Sequence, residues 1–243
     1  MILEKMLQSQ GFGSRKYCQQ LIKSGAVKIS NEVIIDPKQK LNLENLEYEV
    51  SGEQFLYREK VYIALNKPAG YECSHQATHH FSVYDLMDEL LLSRGVQTVG
   101  RLDQDTTGLV LLTDDGQFLQ ALTHPKKHIP KVYQMTTVDL VTEEQIQQLQ
   151  NGVELKNEDG VFQATNVKLL AERQLQFTVH QGVYHQVKRM VAAVGNRVET
   201  LHRLQIGQLK LDHLASGEYC YLNDEQISAA RNVLELKNTI ISI

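Results

Sequence analysis

GRLDQDTTGLVLLT, from Gly100 to Thr113, places an arginine and two aspartates in a loop directly ahead of an apolar run. Leu109-Val110-Leu111-Leu112 is short and aliphatic, which predicts a buried strand. The loop before it has several chemical readings. Asp103-x-Asp105-x-Thr107 has the layout of an aspartate-based phosphotransferase, in which the first carboxylate attacks phosphorus and Mg²⁺ holds the substrate. Asp103, Asp105 and Gly108, with Asp114 beyond, imitate a calcium loop. Gly100-Arg101-Leu102-Asp103 offers a lone nucleophilic carboxylate paired with a cation, and the plainest alternative is a solvated loop whose carboxylates cap turns. Gly100 and Arg101 interrupt the apolar approach that a phosphotransferase strand needs, and Asp114-Asp115-Gly116 follows too closely. The calcium pattern fails at Thr107 and Leu111, and its flank is β-rich where two helices are required. The nucleophilic carboxylate and the structural turn both remain open on pattern alone.

Working outward, Ser14 is positioned to cap a helix to about Ser24, with Tyr17, Cys18, Leu21 and Ile22 on one face and Gly25 as the stop. Arg15 and Lys16 fall in its first turn, where basic side chains oppose the helix dipole, a placement that points to phosphate contact. Ala26 to Ile35 alternates as a hairpin around Ser30-Asn31, and polar Ser51 to Lys60 reads as a linker. The expected division is a small module, residues 1–55, and a larger domain, residues 56–243. In the latter, Val61 to Leu65 predicts a buried strand, Asn66 to Gly70 a turn, and Ser82 to Gly95 one capped helix. Thr142 opens a helix to Gly152 with a capping box, Tyr184 to Val194 is amphipathic, and Asn223 opens a helix through about Leu236. Strands are expected at Val132–Val138, Val161–Leu170, Leu175–His180 and Val198–Leu211. Many strands with few, non-alternating helices argue for an α+β fold with a largely antiparallel or mixed sheet.

Composition bounds the function without naming it. The 243 residues, 42% hydrophobic, can bury a real core. Cys18, Cys73 and Cys220 are widely spaced and odd in number, which suggests neither a disulfide framework nor a zinc site and fits a reducing cytoplasm. No apolar run approaches a membrane span, and Glu4 with the nearby glutamines is unlike a secretion signal. His75, His79, His80, His124 and His128 lack neighbouring ligands at metal spacing, so no metal is expected. A net charge of −4 sits badly with an RNA partner until the layout is considered. Lys5, Arg15, Lys16, Lys23 and Lys28 crowd the first thirty residues; Lys126, Lys127 and Lys131 form a second basic segment. Lys188, Arg189, Arg197, Arg203 and Lys210 form a third, while Asp139, Glu143, Glu144, Glu154, Glu158 and Asp159 gather the acid elsewhere. Such segregation allows a basic track for RNA.

GRLDQDTTGLVLLTDDGQFLQALTHP, followed by Lys131-Val132-Tyr133 and Tyr184-His185-Gln186-Val187-Lys188-Arg189-Met190, closely resembles the catalytic core of the ribosomal small-subunit pseudouridine synthase A family. MILEKMLQSQGFGSRKYCQQLIKSGAVKISNEVI resembles the small αL-type RNA-binding module at the front of these synthases. It departs from the usual opening, because Met1-Ile2-Leu3-Glu4 lacks that module's arginine. The resemblance implies cofactor-free conversion of one uridine in 16S ribosomal RNA to pseudouridine by a cytoplasmic monomer, without a membrane. It implies Asp103 as the catalytic carboxylate, Lys188 as its basic partner and Tyr133 as the residue stacking on the target base. Arg101 becomes the wedge or phosphate contact during flipping; Arg15, Lys16, Lys126, Lys127 and Arg189 become RNA contacts; His185 and Gln186 become supports. A 23S substrate or a non-catalytic ribosome-assembly factor are the alternatives.

Overall fold

The computed structural model describes residues 1–232 and 241–242. It falls into two compact units, Met1–Val61 with Met87–Gln97, and Tyr62–Leu86 with Thr98–Ile243.

The first unit opens with α1 (Leu3–Ser9) and α2 (Arg15–Lys23). Ser14 caps α2 by accepting the Tyr17 N–H at 3.3 Å, and Gly25, at φ +76°, ends the helix in the left-handed region. Four antiparallel strands follow, β1 (Val27–Ile29), β2 (Glu32–Val33), β3 (Glu47–Val50) and β4 (Glu53–Leu56), in spatial order β2-β1-β3-β4. Ser30 and Asn31 both take positive φ, the geometry of a tight hairpin turn between β1 and β2. The stretch from Ser51 expected as a linker is instead structural, because β4 pairs with β3 and Phe55 stacks on Tyr48 with centroids 5.5 Å apart. Two aromatics among polar residues, Phe55 and Tyr57, pack on the core and anchor it. Leu3, Met6, Leu7, Cys18, Ile22 and Val27 are fully buried in this unit's core.

Buried among them is Glu4. Its carboxylate accepts hydrogen bonds from Arg15 Nε at 2.8 Å and Gln19 Nε2 at 2.5 Å. The bonds from Gln19 and Arg15 outweigh the penalty of burial and hold its pKa below the ordinary glutamate value. Arg15 therefore has a structural reason for its place in the first turn of α2, a correction to the expectation that only phosphate contact explains it.

The helix expected from Ser82 to Gly95 is two pieces. A 3₁₀ turn covers Val83–Leu86 and α3 spans Glu89–Ser93. Asp88, extended at φ −64° and ψ 148°, interrupts the helical path between them.

The second unit is built on a mixed sheet. Its elements are β5 (Tyr62–Lys67), β6 (Tyr71–Glu72), β7 (Phe81–Ser82), β8 (Gln97–Thr98), β9 (Thr107–Thr113), α4 (Gly116–Thr123) and β10 (Lys131–Thr137). Next come α5 (Glu143–Asn151), β11 (Val153–Glu154), β12 (Val161–Phe162), β13 (Thr165–Ala171), β14 (Gln174–Val179) and α6 (Gln186–Ala193). Last are β15 (Val198–Ile206), β16 (Leu209–Lys210), β17 (Tyr219–Tyr221), α7 (Asp224–Arg231) and β18 (Ile241–Ser242). The main path runs β13-β14-β10-β15-β9-β5-β17. Along it only β15 and β9 are parallel, joined at His202↔Thr107 and Arg203↔Gly108. Gly108, at φ +100°, permits that approach, since a Cβ there would lie 2.3 Å from the Arg203 carbonyl oxygen. Leu109 to Leu112 are all fully buried, as expected of a strand covered on both faces.

The run expected as one strand from Val161 to Leu170 breaks at Gln163-Ala164, where the Ala164 N–H turns to the Leu149 carbonyl at 2.9 Å. The predicted Val198–Leu211 strand folds back at Gly207 into β15 and β16. The capping box at Thr142–Gln145 forms as read, and Asn223 caps α7, whose expected extension to Leu236 lies outside the described residues. Among the described residues no helix is long and apolar enough to cross a membrane.

Candidate active site

The loop from Gly100 to Thr106 is pinned from below by Lys67, a lysine with no exposed surface at the end of β5. Its ammonium donates to the carbonyls of Pro68 at 3.0 Å, Gln104 at 3.2 Å and Thr106 at 2.7 Å. Burial drives its pKa down to about 8, against the opposing pull of Cys73 and of Asp105 and Asp103. The Gly70 N–H also binds the Gln104 carbonyl at 2.9 Å, and the Thr106 N–H closes the turn on the Asp103 carbonyl at 3.1 Å. Leu102, buried, donates its N–H to Cys73 Sγ at 3.5 Å. With the backbone fixed on both sides, the Asp103 side chain stands at the surface of the loop, 30% exposed.

Both oxygens of that carboxylate are engaged. Lys188 Nζ lies 3.1 Å from Oδ2, and His185 Nε2 lies 3.1 Å from Oδ1. Lys188 also donates to Asp105 Oδ1 at 2.6 Å. Burial opposes its charge, but the bonds to Asp105 and Asp103 prevail and raise its pKa. Asp105 responds in the opposite sense: burial pushes it up, the Lys188 bond outweighs this, and its carboxyl is held below the ordinary range. These partners arrive through α6, whose Val187, Met190, Val191 and Val194 face inward as the periodicity predicted. His185 precedes the helix in the left-handed conformation at φ 50°, and its ring stacks on Tyr184 with centroids 3.8 Å apart.

Tyr133 occupies β10 in register with Arg203 on β15, which is in register with Gly108 on β9. Arg203 is 2% exposed. Its Nε donates to the Leu109 carbonyl at 2.7 Å and its Nη1 to the Tyr133 hydroxyl at 3.3 Å, while its Nη2 has no hydrogen-bond partner among the described residues. Tyr133 is itself nearly buried. Behind it, Lys131 donates to the Ile129 carbonyl at 3.1 Å, and burial together with the Arg203 charge lowers its pKa to about 8.

The structure thus brings Asp103, Asp105, His185 and Lys188 together and sets Tyr133 against Arg203. Arg101 is exposed and has no ion pair among the described residues. Lys16, Lys126 and Lys127 are exposed. Arg189 is not free in this way: it pairs with Glu158 at 2.9 Å and donates to the carbonyls of Tyr184 and Lys156. Arg15 and Arg189, both expected as RNA contacts, thus each already pair with a carboxylate, Glu4 and Glu158.

Three members of the cluster escaped a reading of sequence alone. Lys67 follows an apolar strand and looked like a turn residue; its signal is a lone cation at the end of Tyr62-Ile63-Ala64-Leu65. Arg203 alternates with Leu201 on the inward face of β15, a period-2 pattern that marks it as core-facing. Asp105 looked like part of a metal motif.

A carboxylate held by an ammonium on one oxygen and an imidazole on the other can act as a nucleophile or as a base. The RNA pseudouridylate synthase family profile matches residues 61–193, and the S4 domain profile residues 3–46. The ribosomal small subunit pseudouridine synthase A of Vibrio vulnificus (strain CMCP6) is 37% identical over 232 residues, covering 94% of this chain and 99% of that protein. The enzyme of the same name from Yersinia pestis is 38% identical over 231 residues, covering 94% and 97%. A solved pseudouridylate synthase structure, 36% identical, superposes with a TM-score of 0.67 over 95% of this chain and 99% of its own.

Proposed function

The chain belongs to the RNA pseudouridylate synthase family, with an S4 domain ahead of the catalytic part, and on that premise we propose that its substrate is one uridine of small-subunit, 16S ribosomal RNA. The reaction is an isomerisation: the N1–C1′ glycosidic bond breaks, the uracil turns, and C5 bonds to C1′. No atom is gained or lost. A single carboxylate suffices, as a nucleophile at the sugar or as a base removing a sugar proton. Asp103 is that carboxylate. The observation that carries the assignment is its surface-facing side chain with Lys188 on one oxygen and His185 on the other, both at 3.1 Å. Lys188, 3.1 Å from Oδ2, orients the carboxylate, and Tyr133, its hydroxyl held by Arg203, stacks on the flipped base. A uridine within a stem must be extruded at a cost of a few kcal/mol. Arg101, exposed two residues before Asp103, fills or braces the gap it leaves. Lys16, Lys126 and Lys127 contact phosphate, and the protein works as a cytoplasmic monomer.

Pseudouridine mapping in 16S and 23S RNA, each incubated with the protein in EDTA, tests the substrate. Product in 16S RNA alone is expected; product in 23S RNA alone overturns the small-subunit assignment, and product in neither overturns the activity. Asp103→Asn should abolish turnover while RNA affinity stays within a few-fold. Near-normal turnover by that variant would remove Asp103 from its role.

A further inference from the structure

Tyr71 and Phe81 face each other across the parallel bridge between β6 and β7. Their rings meet with centroids 5.5 Å apart at 32°. Phe81 is 67% exposed, an apolar ring held in water. It is rigidly mounted. The neighbouring Ser82 is buried, donates its hydroxyl to the Ser74 carbonyl at 2.7 Å and its N–H to Asp85 at 2.9 Å, and accepts the Tyr84 N–H at 3.1 Å. His75 stacks on Tyr84 behind it, with centroids 3.5 Å apart.

The other side of the pair is fastened to the Asp103 loop. The Gly70 N–H reaches the Gln104 carbonyl at 2.9 Å, and the Leu102 N–H reaches Cys73 Sγ at 3.5 Å. These two bonds tie Gly70 and Cys73, which flank β6, to Gln104 and Leu102, which flank Asp103. A flat aromatic surface, kept in water on a segment tied to the catalytic loop, suits a flat partner that arrives with the substrate. When a uridine leaves its strand, the adjacent base loses a stacking neighbour, and an aromatic side chain can replace it without regard to base identity. Exposed His79, two residues before Phe81, suits a phosphate of the same strand.

We propose that Tyr71 and Phe81 form a stacking platform for a nucleobase next to the target uridine. The proposal rests on RNA being the substrate bound at Asp103. Its test uses the full chain and a 16S RNA fragment carrying the mapped target, with an abasic residue placed in turn at each flanking position. Loss of one base stack corresponds to roughly a five- to tenfold rise in KM at the lower end of measured stacking strengths. Phe81→Ala is expected to show that rise with a smaller change in kcat, and Phe81→Trp to restore it. At one flanking position the abasic RNA should raise the wild-type KM similarly, with Phe81→Ala adding no further loss there. Wild-type KM in a Phe81→Ala protein of unaltered melting temperature overturns the platform alone, as do losses that add at every abasic position. A wild-type chain that makes no pseudouridine removes the premise and the platform together.

Discussion

Replacing Lys67 by Met tests how the catalytic loop is held. Moving this lysine from water to its site lowers its pKa from an ordinary value near 10.4 to about 8, which corresponds to about 3 kcal/mol against the charged form. Three carbonyl acceptors, on Pro68, Gln104 and Thr106, offset that penalty. Methionine keeps the volume and removes the penalty. It also strips the Pro68 and Thr106 carbonyls of this donor, while Gln104 retains the Gly70 N–H. Leaving a buried acceptor unsatisfied costs about 1–3 kcal/mol, roughly 4 kcal/mol for the two, so against the penalty relieved the net loss should be about 1 kcal/mol at pH 7. The pH dependence carries the sharper signature. Because the folded pKa is the lower one, between about pH 8 and 10.5 the unfolded chain holds a proton that the folded chain has released, and this residue's contribution to stability rises with pH. The wild type should therefore gain on Lys67→Met by up to about 1.4 kcal/mol per pH unit in that window. Urea denaturation followed by far-UV circular dichroism at pH 7, 8, 9 and 10 measures the difference, and single-turnover pseudouridine formation should fall at least about tenfold, because Asp103 sits on the released loop. A stability difference that stays flat with pH, or wild-type turnover by the variant, refutes the reasoning.

Gly108→Ala should destabilise the protein by about 3 kcal/mol or more, since its Cβ would meet the Arg203 carbonyl at 2.3 Å in a positive-φ backbone; chemical denaturation reads this, and a loss under about 1 kcal/mol would contradict it. Lys188→Met should change stability by no more than about 1 kcal/mol, because the pair is partly exposed, yet lower single-turnover rates on the order of a hundredfold, with Lys188→Arg restoring part of the loss; equal rates in all three proteins would remove the cation from the chemistry. Glu4 has a folded pKa below its unfolded one, so its stabilisation is complete above the ordinary glutamate range and is lost as pH falls through the folded value; Glu4→Gln should make the first unit's amide signals less sensitive to acid below about pH 4.5, and identical acid titrations by NMR would count against this.

The fold and the site were legible to different depths. Local signals were reliable where one residue's chemistry is decisive: Ser14 and Thr142 as caps, Gly25 as a stop, Ser30-Asn31 as a turn, and the inward stripe of α6. Long periodic runs were over-extended, because continuity of hydrophobic spacing does not reveal a break such as Asp88 or Gly207, where the backbone turns without a loss of apolar residues. Asp103 and Lys188 came from motifs read in order. Their partners in space could not be read that way: Lys67 supports a loop far along the chain, and Arg203 meets Tyr133 across a strand pairing. Charge counting treated Arg15 and Arg189 as available, since sequence separation hides Glu4 and Glu158 from them.

The short parallel seam between β9 and β15 also bears on when activity is acquired during folding. Hairpins such as β13–β14 close between near neighbours, whereas Thr107 and Leu201 are 94 positions apart and Lys188 and Asp105 are 83 apart. Closing such long loops costs entropy before any contact rewards it, so this joint belongs to the slow, late part of assembly. A nascent or partly refolded chain would then possess its locally closed helices and hairpins well before it possesses a competent catalytic centre.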